Sequence, residues 1–202
     1  DKQERSQMIQ RVFTLIEWIA YTTGNGVMSP SPEAFEYVEN RYSPRGKHEC
    51  IPNYVETDVF KPMNEVSVRE KSICFVGRLG DQKNVLSLIK SLEDTDYALT
   101  LVGEGPLEDE IRTLADDLCV NVKFKGNVPN HEIPTILNKH EIFVLPSLYE
   151  GMPKALLEAM SCGLPVIGTD VEGTREVITD GKNGLLCDTS PDSIAKAISQ
   201  LM

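Results

Sequence analysis

Residues 142–170 read IFVLPSLYEGMPKALLEAMSCGLPVIGTD, and this stretch decides the fold. Ile142–Leu145 is a short apolar run with a β-branched start, ended by Pro146 and Ser147. Gly151 and Pro153 stand where a helix would begin, and proline suits a first turn because its missing N–H is not needed there. Ala155, Leu156, Leu157, Ala159 and Met160 make the helix apolar, and Gly163 stops it. Val166–Ile167 is the next buried strand. Strand, loop, helix, turn and strand follow one another within this one stretch. Two carboxylates interrupt the apolar background, Glu150 in the loop and Glu158 in the helix, with roughly two helical turns between them.

The same alternation extends outward from there, beginning at Lys71. Ile73–Leu79, Tyr97–Val102 and Val120–Phe124 read as strands. Asn84–Leu92, Leu107–Leu118 and Glu132–Lys139 read as the helices between them. Beyond the central stretch come a small helix near Thr174–Ile178, a short strand at Leu185–Cys187 and a last helix from Ser193. Mixed apolar strands separated by helices predict an α/β fold with a Rossmann-like, doubly wound parallel sheet, covered on both faces. Such sheets bind ligands beyond the carboxyl ends of their strands. The unusual loops all fall there: Arg78–Lys83, Gly103–Pro106, Gly126–Pro129 and Ser147–Pro153.

The first forty residues do not continue this pattern. Met8, Ile9, Val12, Phe13, Leu15, Ile16 and Ile19 recur at helical spacing within residues 3–21, and so broad an apolar face predicts a helix packed against something. Val27–Met28 resembles a strand end. Ser31, Pro32 and Glu33 open a helix running to about Glu39, with serine as N-cap. Arg41–His48 reads as a connection, and a domain boundary is expected near Arg45–Pro52.

With 202 residues the chain has room for one large domain, or one domain and part of another. Its net charge of −11 argues against a nucleic-acid partner but leaves room for a local anion site. The five cysteines are widely spaced and show no metal-ligand pairing, and neither do His48, His131 and His140, so reduced, mostly buried thiols of a cytosolic protein are expected. No apolar run reaches the length of a membrane span, and no signal-peptide pattern opens the sequence.

Arg78 and Lys83 put two cations in a loop after a strand, beside Gly77. A guanidinium fork and an ammonium both suit phosphate oxygens, although solvated surface cations are the commoner fate of such residues. The helix entered through Glu150, Gly151, Met152 and Pro153 offers unpaired N–H groups and the positive end of its dipole to an anion. A carboxylate beside that anion would have to face something neutral, such as sugar hydroxyls, which donate to it. Glu158, if buried, needs donors too, and a ribose diol has two. Two carboxylates could also be a glycosidase pair, but the neighbouring cations favour an activated, phosphorylated sugar. Gly103-Glu104-Gly105-Pro106 lacks the Walker and dinucleotide spacings and reads as a tight turn. Ser147 and Ser161 lack a nucleophile-elbow context.

Taken together, IPNYVETDVFKP, FVGRLGDQKNV, LVGEGPLEDEI, FKGNVPNHEI and LPSLYEGMPKALLEAMSCGLPVIGTDVEGTREVITDGKNGLL resemble the retaining glycosyltransferases of family 4, over roughly Cys50 to Met202. The resemblance implies one half of a two-domain GT-B fold. Residues 46–202 would be the carboxy-terminal, nucleotide-sugar-binding domain, truncated at its end. Residues 1–45 would be a remnant of the amino-terminal acceptor domain with the interdomain connection, and residues 1–29 the tail of that domain. It implies transfer of a sugar from a UDP-, GDP- or ADP-linked donor to a saccharide or lipid-linked acceptor, with retained configuration and no required metal or other cofactor. Arg78 and Lys83 would hold the diphosphate and stabilise the leaving group, and Glu150 would sit by the hydroxyls of the transferred sugar. These three are the implied catalytic residues. Gly77, Gly151, Met152 and Pro153 would line the donor, Lys154 and Ala155 would present N–H groups to phosphate, Glu158 would hold the ribose, and the loop Gly126–Val128 would touch the base. The partners implied are the nucleotide sugar, the acceptor and the missing domain. The setting is cytoplasmic, at the inner membrane face where that domain associates with it, and the fragment alone would not transfer. A non-catalytic nucleotide-sugar-binding module and a nucleotide-sugar epimerase are the alternatives. The chain departs from the family at Tyr54, where many members have glycine, and at Glu172, where many have a small residue.

Overall fold

The computed structural model describes residues 2–201, with side chains described from residue 8 onward. They form two compact units, residues 1–53 and 54–202.

In the first unit, α1 (Lys2–Thr23) precedes a two-stranded parallel sheet of β1 (Gly26–Ser29) and β2 (Lys47–Cys50), joined through α2 (Pro32–Tyr42). Ser31 caps α2 by accepting from the Ala34 N–H, and Pro32 opens its first turn. β2 lies where the sequence reads as a connection. Its residues Lys47–Cys50 are polar and half exposed, so they carry none of the apolar signal of a buried strand. The broad apolar face of α1 is not covered within this unit. Met8, Phe13, Leu15, Ile16 and Trp18 are all exposed, so none of the described residues covers this face. Among the described residues, Tyr21 of α1 lies against Tyr42, whose hydroxyl donates to Glu17 at 2.7 Å.

The second unit is built on six parallel strands: β3 (Ser72–Val76), β4 (Ala98–Val102), β5 (Asn121–Phe124), β6 (Ile142–Leu145), β7 (Val166–Thr169) and β8 (Leu185–Cys187). Their spatial order is β5-β4-β3-β6-β7-β8. The chain therefore winds outward from β3 through β4 to β5, then returns to lay β6 on the other side of β3. This is the Rossmann order, and the crevice between β3 and β6 is its switch point. Ile73, Cys74, Phe75, Phe143, Val166 and Ile167 are fully buried, because helices cover both faces. Those helices are α3 (Val85–Lys90), α4 (Glu108–Asp117), α5 (Ile133–Leu137), α6 (Lys154–Ser161), α7 (Glu172–Arg175) and α8 (Pro191–Leu201).

The elements read from sequence are all present, with shifted ends. Leu79 lies beyond β3 because Gly77 and Leu79 turn away to bond with Val102 and Glu104. Asn84 is left-handed (φ 52°) and separates a 3-10 turn, Asp81–Lys83, from α3. Tyr54 adopts no positive φ, as its departure from glycine requires.

The segment before β3 is sewn onto the helices. Phe60 is buried in the core. Asn138, at the end of α5, accepts from the Met63 N–H at 2.7 Å and donates to the carbonyls of Lys61 (3.0 Å) and Pro134 (2.8 Å). Ser161, at the end of α6, donates to the Phe60 carbonyl at 2.5 Å.

Candidate active site

At the switch point the loop after β3 meets the loop after β6. The Leu148 N–H donates to the Gln82 carbonyl at 2.8 Å, and the Gln82 amide donates to the Tyr149 carbonyl at 2.9 Å. Asn84 adds a bond to the Pro146 carbonyl at 3.1 Å and one to Thr189 at 2.9 Å. These bonds hold two side chains from distant parts of the sequence together. Lys83 Nζ lies 2.5 Å from Glu150 Oε1, with side-chain exposures of only 19 % and 7 %. Ser147, fully buried, donates to the same carboxylate oxygen at 2.6 Å, and its own carbonyl accepts from Thr169. A charge so little exposed to water needs such partners.

Arg78 stands beside this pair and is exposed. It borders two cavities. One, of about 260 Å³, also includes Asp81, Gln82, Lys83 and Tyr149. The other, of about 400 Å³, lies beyond β3, β4 and β5, with Gly77, Val102, Glu104, Val128 and Ile133 among its walls. The loops around them approach closely. A Cβ on Gly103 would lie 2.1 Å from the Gly77 carbonyl oxygen, and Gly103 has φ +123°, so this turn requires glycine on both counts. A third cavity, of about 510 Å³, is lined by Val166 and Leu185, the first residues of β7 and β8, and holds none of the sequence candidates.

On the other side of Glu150 the chain enters α6. Pro153 is its N-cap and offers no capping side chain, so the N–H groups of Lys154 and Ala155 face outward from the first turn. Gly151 lies under α7: a Cβ on Gly173 would come 1.8 Å from the Gly151 carbonyl oxygen. Glu172, the departure from a small residue, is exposed and leaves this contact intact.

A family model described as glycosyl transferases group 1 matches residues 57–202. The chain belongs to this family. This group 1 member is 32 % identical over 171 residues to the UDP-Gal:alpha-D-GlcNAc-diphosphoundecaprenol alpha-1,3-galactosyltransferase of Escherichia coli, covering 75 % of this chain and 44 % of that one. It is 29 % identical over 185 residues to the GDP-mannose-dependent alpha-(1-6)-phosphatidylinositol monomannoside mannosyltransferase of Mycolicibacterium smegmatis, covering 80 % and 48 %. The chain thus spans less than half the length of these relatives. Its structure resembles sucrose-phosphate synthase from Thermosynechococcus elongatus, with TM-score 0.82, 24 % identity and coverage of 93 % of this chain and 51 % of that one. It also resembles a TarM variant of S. aureus solved with fondaparinux, alpha-GlcNAc-glycerol and UDP, with TM-score 0.80, 25 % identity and coverage of 91 % and 38 %. The α/β fold is that of a GT-B glycosyltransferase domain.

Of the residues singled out from sequence, the structure brings Lys83 and Glu150 into contact and puts Gly77, Arg78 and Val128 around one cavity. Gly126 does not line that cavity; it turns at φ +64° and its carbonyl accepts from Gly103. Glu158 is separate from the Lys83–Glu150 pair. Its charged neighbour is Lys154, with Nζ at 3.9 Å. The residue is 5 % exposed, and no hydrogen bond satisfies its carboxylate among the described residues. Sequence reasoning left out Ser147, Gln82 and Thr169 as supports of Glu150. Ser147 carries a readable signal, since a hydroxyl three residues ahead of a loop carboxylate can reach it. The bonds from Gln82 and Thr169 depend on the return of β6 beside β3.

Burial raises the Glu158 carboxyl above its ordinary value, opposed in part by Lys154. The folded state therefore holds this proton more tightly than the unfolded chain. The associated stability is fully present below the ordinary glutamate value and is lost as pH rises through the raised one. Replacing Glu158 by glutamine should remove this slope. In thermal unfolding series, Glu158→Gln should exceed the native chain in Tm at pH 7 and lose that advantage near pH 4. Parallel Tm–pH curves would show that the carboxyl is not strained in this way.

Proposed function

We propose that this chain is the nucleotide-sugar-binding part of a retaining glycosyltransferase, moving a sugar from a nucleoside diphosphate to an acceptor held largely by the rest of a longer protein. The observation that carries the reading is the Lys83–Glu150 pair at the switch point, beside Arg78 and an uncapped helix start. Arg78, Lys83 and the N–H groups of Lys154 and Ala155 neutralise the diphosphate. Positively charged donors aimed at the leaving oxygen lower the barrier as negative charge builds there, about 3–4 kcal/mol for a well-placed donor. Glu150 accepts from hydroxyls of the transferred sugar and, already paired with Lys83, does so without facing phosphate unshielded. The ribose hydroxyls supply Glu158 with the donors that it lacks.

This division of labour agrees with relatives whose names specify UDP-galactose and GDP-mannose as donors. Those names also specify lipid-linked acceptors, which supports a membrane-facing acceptor in the longer protein. No helix among the described residues is long and apolar enough to cross a membrane. Residues 1–45 belong, on this reading, to the acceptor side and the connection.

The test is thermal stabilisation. A saturating nucleoside diphosphate, at about a hundred times its Kd, should stabilise the chain by about 2.7 kcal/mol, and the free nucleoside by much less. Arg78→Ala should abolish the difference. Equal effects of nucleoside and nucleoside diphosphate would overturn the diphosphate assignment.

A further inference from the structure

Three loops wall the cavity beyond β3, β4 and β5: those of Gly77 and Arg78, Gly103 and Glu104, and Asn127 and Val128. The middle loop is fastened to both of its neighbours. On one side its backbone braces the residues around Arg78. The Gly77 N–H donates to the Val102 carbonyl at 2.9 Å, and the Leu79 N–H to the Glu104 carbonyl at 3.0 Å. On the other side it holds the loop after β5. The Gly103 N–H donates to the Gly126 carbonyl at 2.8 Å. The Glu104 side chain then closes on the next residue. Its Oε1 accepts from the Asn127 backbone N–H at 3.3 Å, and its Oε2 from the Asn127 side-chain amide at 2.9 Å.

We infer that Glu104 is a positioning residue for the nucleoside of the donor, holding Val128 in place as a wall of this cavity through its clasp on Asn127. The inference rests on the nucleotide-sugar reading above. Both donors on Glu104 come from one residue and take the lone pairs that converge between its two oxygens. The carboxylate is therefore taken up by the loop and acts on a ligand only through it. Hydrogen bonds to a charged acceptor are stronger than neutral ones, and a pair of them fixes orientation as well as distance.

The loop after β5 is one that a clasp can govern. It turns through Gly126 at φ +64°, and glycine restrains its own backbone less than other residues do. A Cβ on Gly126 would lie 3.3 Å from Glu104 Oε1, so the carboxylate sits close over the turn. Glu104 and Asn127 are both exposed, where water competes for the same bonds, so the clasp adds little to the stability of the fold. What it sets is the place of Val128, two residues beyond Gly126. A seat already in position when the ligand arrives costs less to fill. The side chain reaches Asn127, whereas the bonds beside Arg78 are made by backbone atoms. Losing the side chain should therefore affect the nucleoside and spare the diphosphate.

The inference is tested by titration calorimetry of this chain with UDP, GDP, ADP and inorganic pyrophosphate. Glu104→Ala should weaken whichever nucleotide binds tightest by about tenfold and leave pyrophosphate binding unchanged. Asn127→Asp sets one carboxylate against another and should weaken that nucleotide at least as much. Glu104→Gln keeps the length and, with the Asn127 amide turned over, a donor–acceptor match to both groups, so it should recover most of the affinity. A merely structural role would not produce this rescue or this split between nucleotide and pyrophosphate. Native nucleotide affinity in both Glu104→Ala and Asn127→Asp would overturn the inference. So would an equal loss of nucleotide and pyrophosphate, which would make Glu104 a support of the whole turn. Glu104→Gln binding as weakly as Glu104→Ala would assign the effect to charge and also overturn it. Should Glu104→Ala not fold, Asn127→Asp decides alone by the same nucleotide-to-pyrophosphate split. Pyrophosphate binding the native chain as tightly as every nucleotide would remove the nucleoside from this cavity and leave the diphosphate site standing. Binding of none of the four overturns the diphosphate reading as well.

Discussion

Lys83→Ala is expected to lower turnover of the longer enzyme by about 10²–10³-fold, the range for removing one well-placed charge-stabilising donor. The same change should destabilise the fold, for a separate reason. Glu150 is 7 % exposed and would lose its cation while remaining in place. Breaking a buried pair by removing one partner costs about 3–5 kcal/mol, and the partial exposure of Lys83 puts the expected loss below that, at about 1–3 kcal/mol. The Ser147 hydroxyl still reaches the carboxylate and softens the effect. A cycle with Glu150→Gln separates the two consequences. The double variant Lys83→Ala/Glu150→Gln leaves no uncompensated charge and should recover most of the stability. It should recover none of the activity, because the phosphate still lacks its ammonium. Chemical denaturation and kcat/KM on the four proteins are the measurements. Unchanged kcat/KM in Lys83→Ala would remove Lys83 from the chemistry and leave it a structural cation.

The second large effect is expected from Gly173→Ala. The added Cβ would lie 1.8 Å from the Gly151 carbonyl oxygen, 2.4 Å from the Gly151 carbonyl carbon and 2.7 Å from the Glu150 carbonyl oxygen. All three are backbone atoms, so no side chain can swing aside. Either α7 or the loop carrying Glu150 has to move. Overpacking of this kind costs about 1–3 kcal/mol and sometimes more. The functional loss should exceed what the stability change explains, since a displacement of about 1 Å at a positioned group can cost 10²-fold. Nucleotide affinity and Tm measured together decide this. Gly80→Ala, where a Cβ meets nothing within 4 Å, is the stability control and should leave Tm nearly unchanged. A Gly173→Ala protein with native Tm and native nucleotide affinity would show that α7 does not brace the loop.

The candidate site was legible in the sequence where charge stands out against the local pattern. Glu150 and Glu158 stand out because they are charged residues against apolar surroundings. Arg78 and Lys83 stand out because the strand before them is unmistakable. The pairing of Lys83 with Glu150 was not legible in the same way. Its partners are brought together by the return of β6 beside β3, a long-range event that no local period encodes. The same reason hides Gly173, whose need for glycine arises from the backbone of another loop and not from its own φ.

Elsewhere the limits differ in kind. β2 is polar along its length and pairs only with β1, so it lacks the apolar alternation that announces a strand. In α1 the helix was readable and its covering was not. Helical spacing reports that a face is apolar and says nothing of what it meets. Cys74, Cys162 and Cys187 are buried thiols, held protonated by burial, whereas Cys119 is exposed at a left-handed helix end, φ 53°.

The bonds made by Asn138 and Ser161 bear on where this domain can be cut. A limit drawn at Ser72, where the sheet starts, would discard Phe60 and leave a hole in the core. It would also strip Asn138 of its Met63 and Lys61 partners and Ser161 of its own. The smallest autonomous piece is therefore longer than its sheet, and an excised version should retain the polypeptide from Val55 onward as part of the fold, not as a tether to be trimmed.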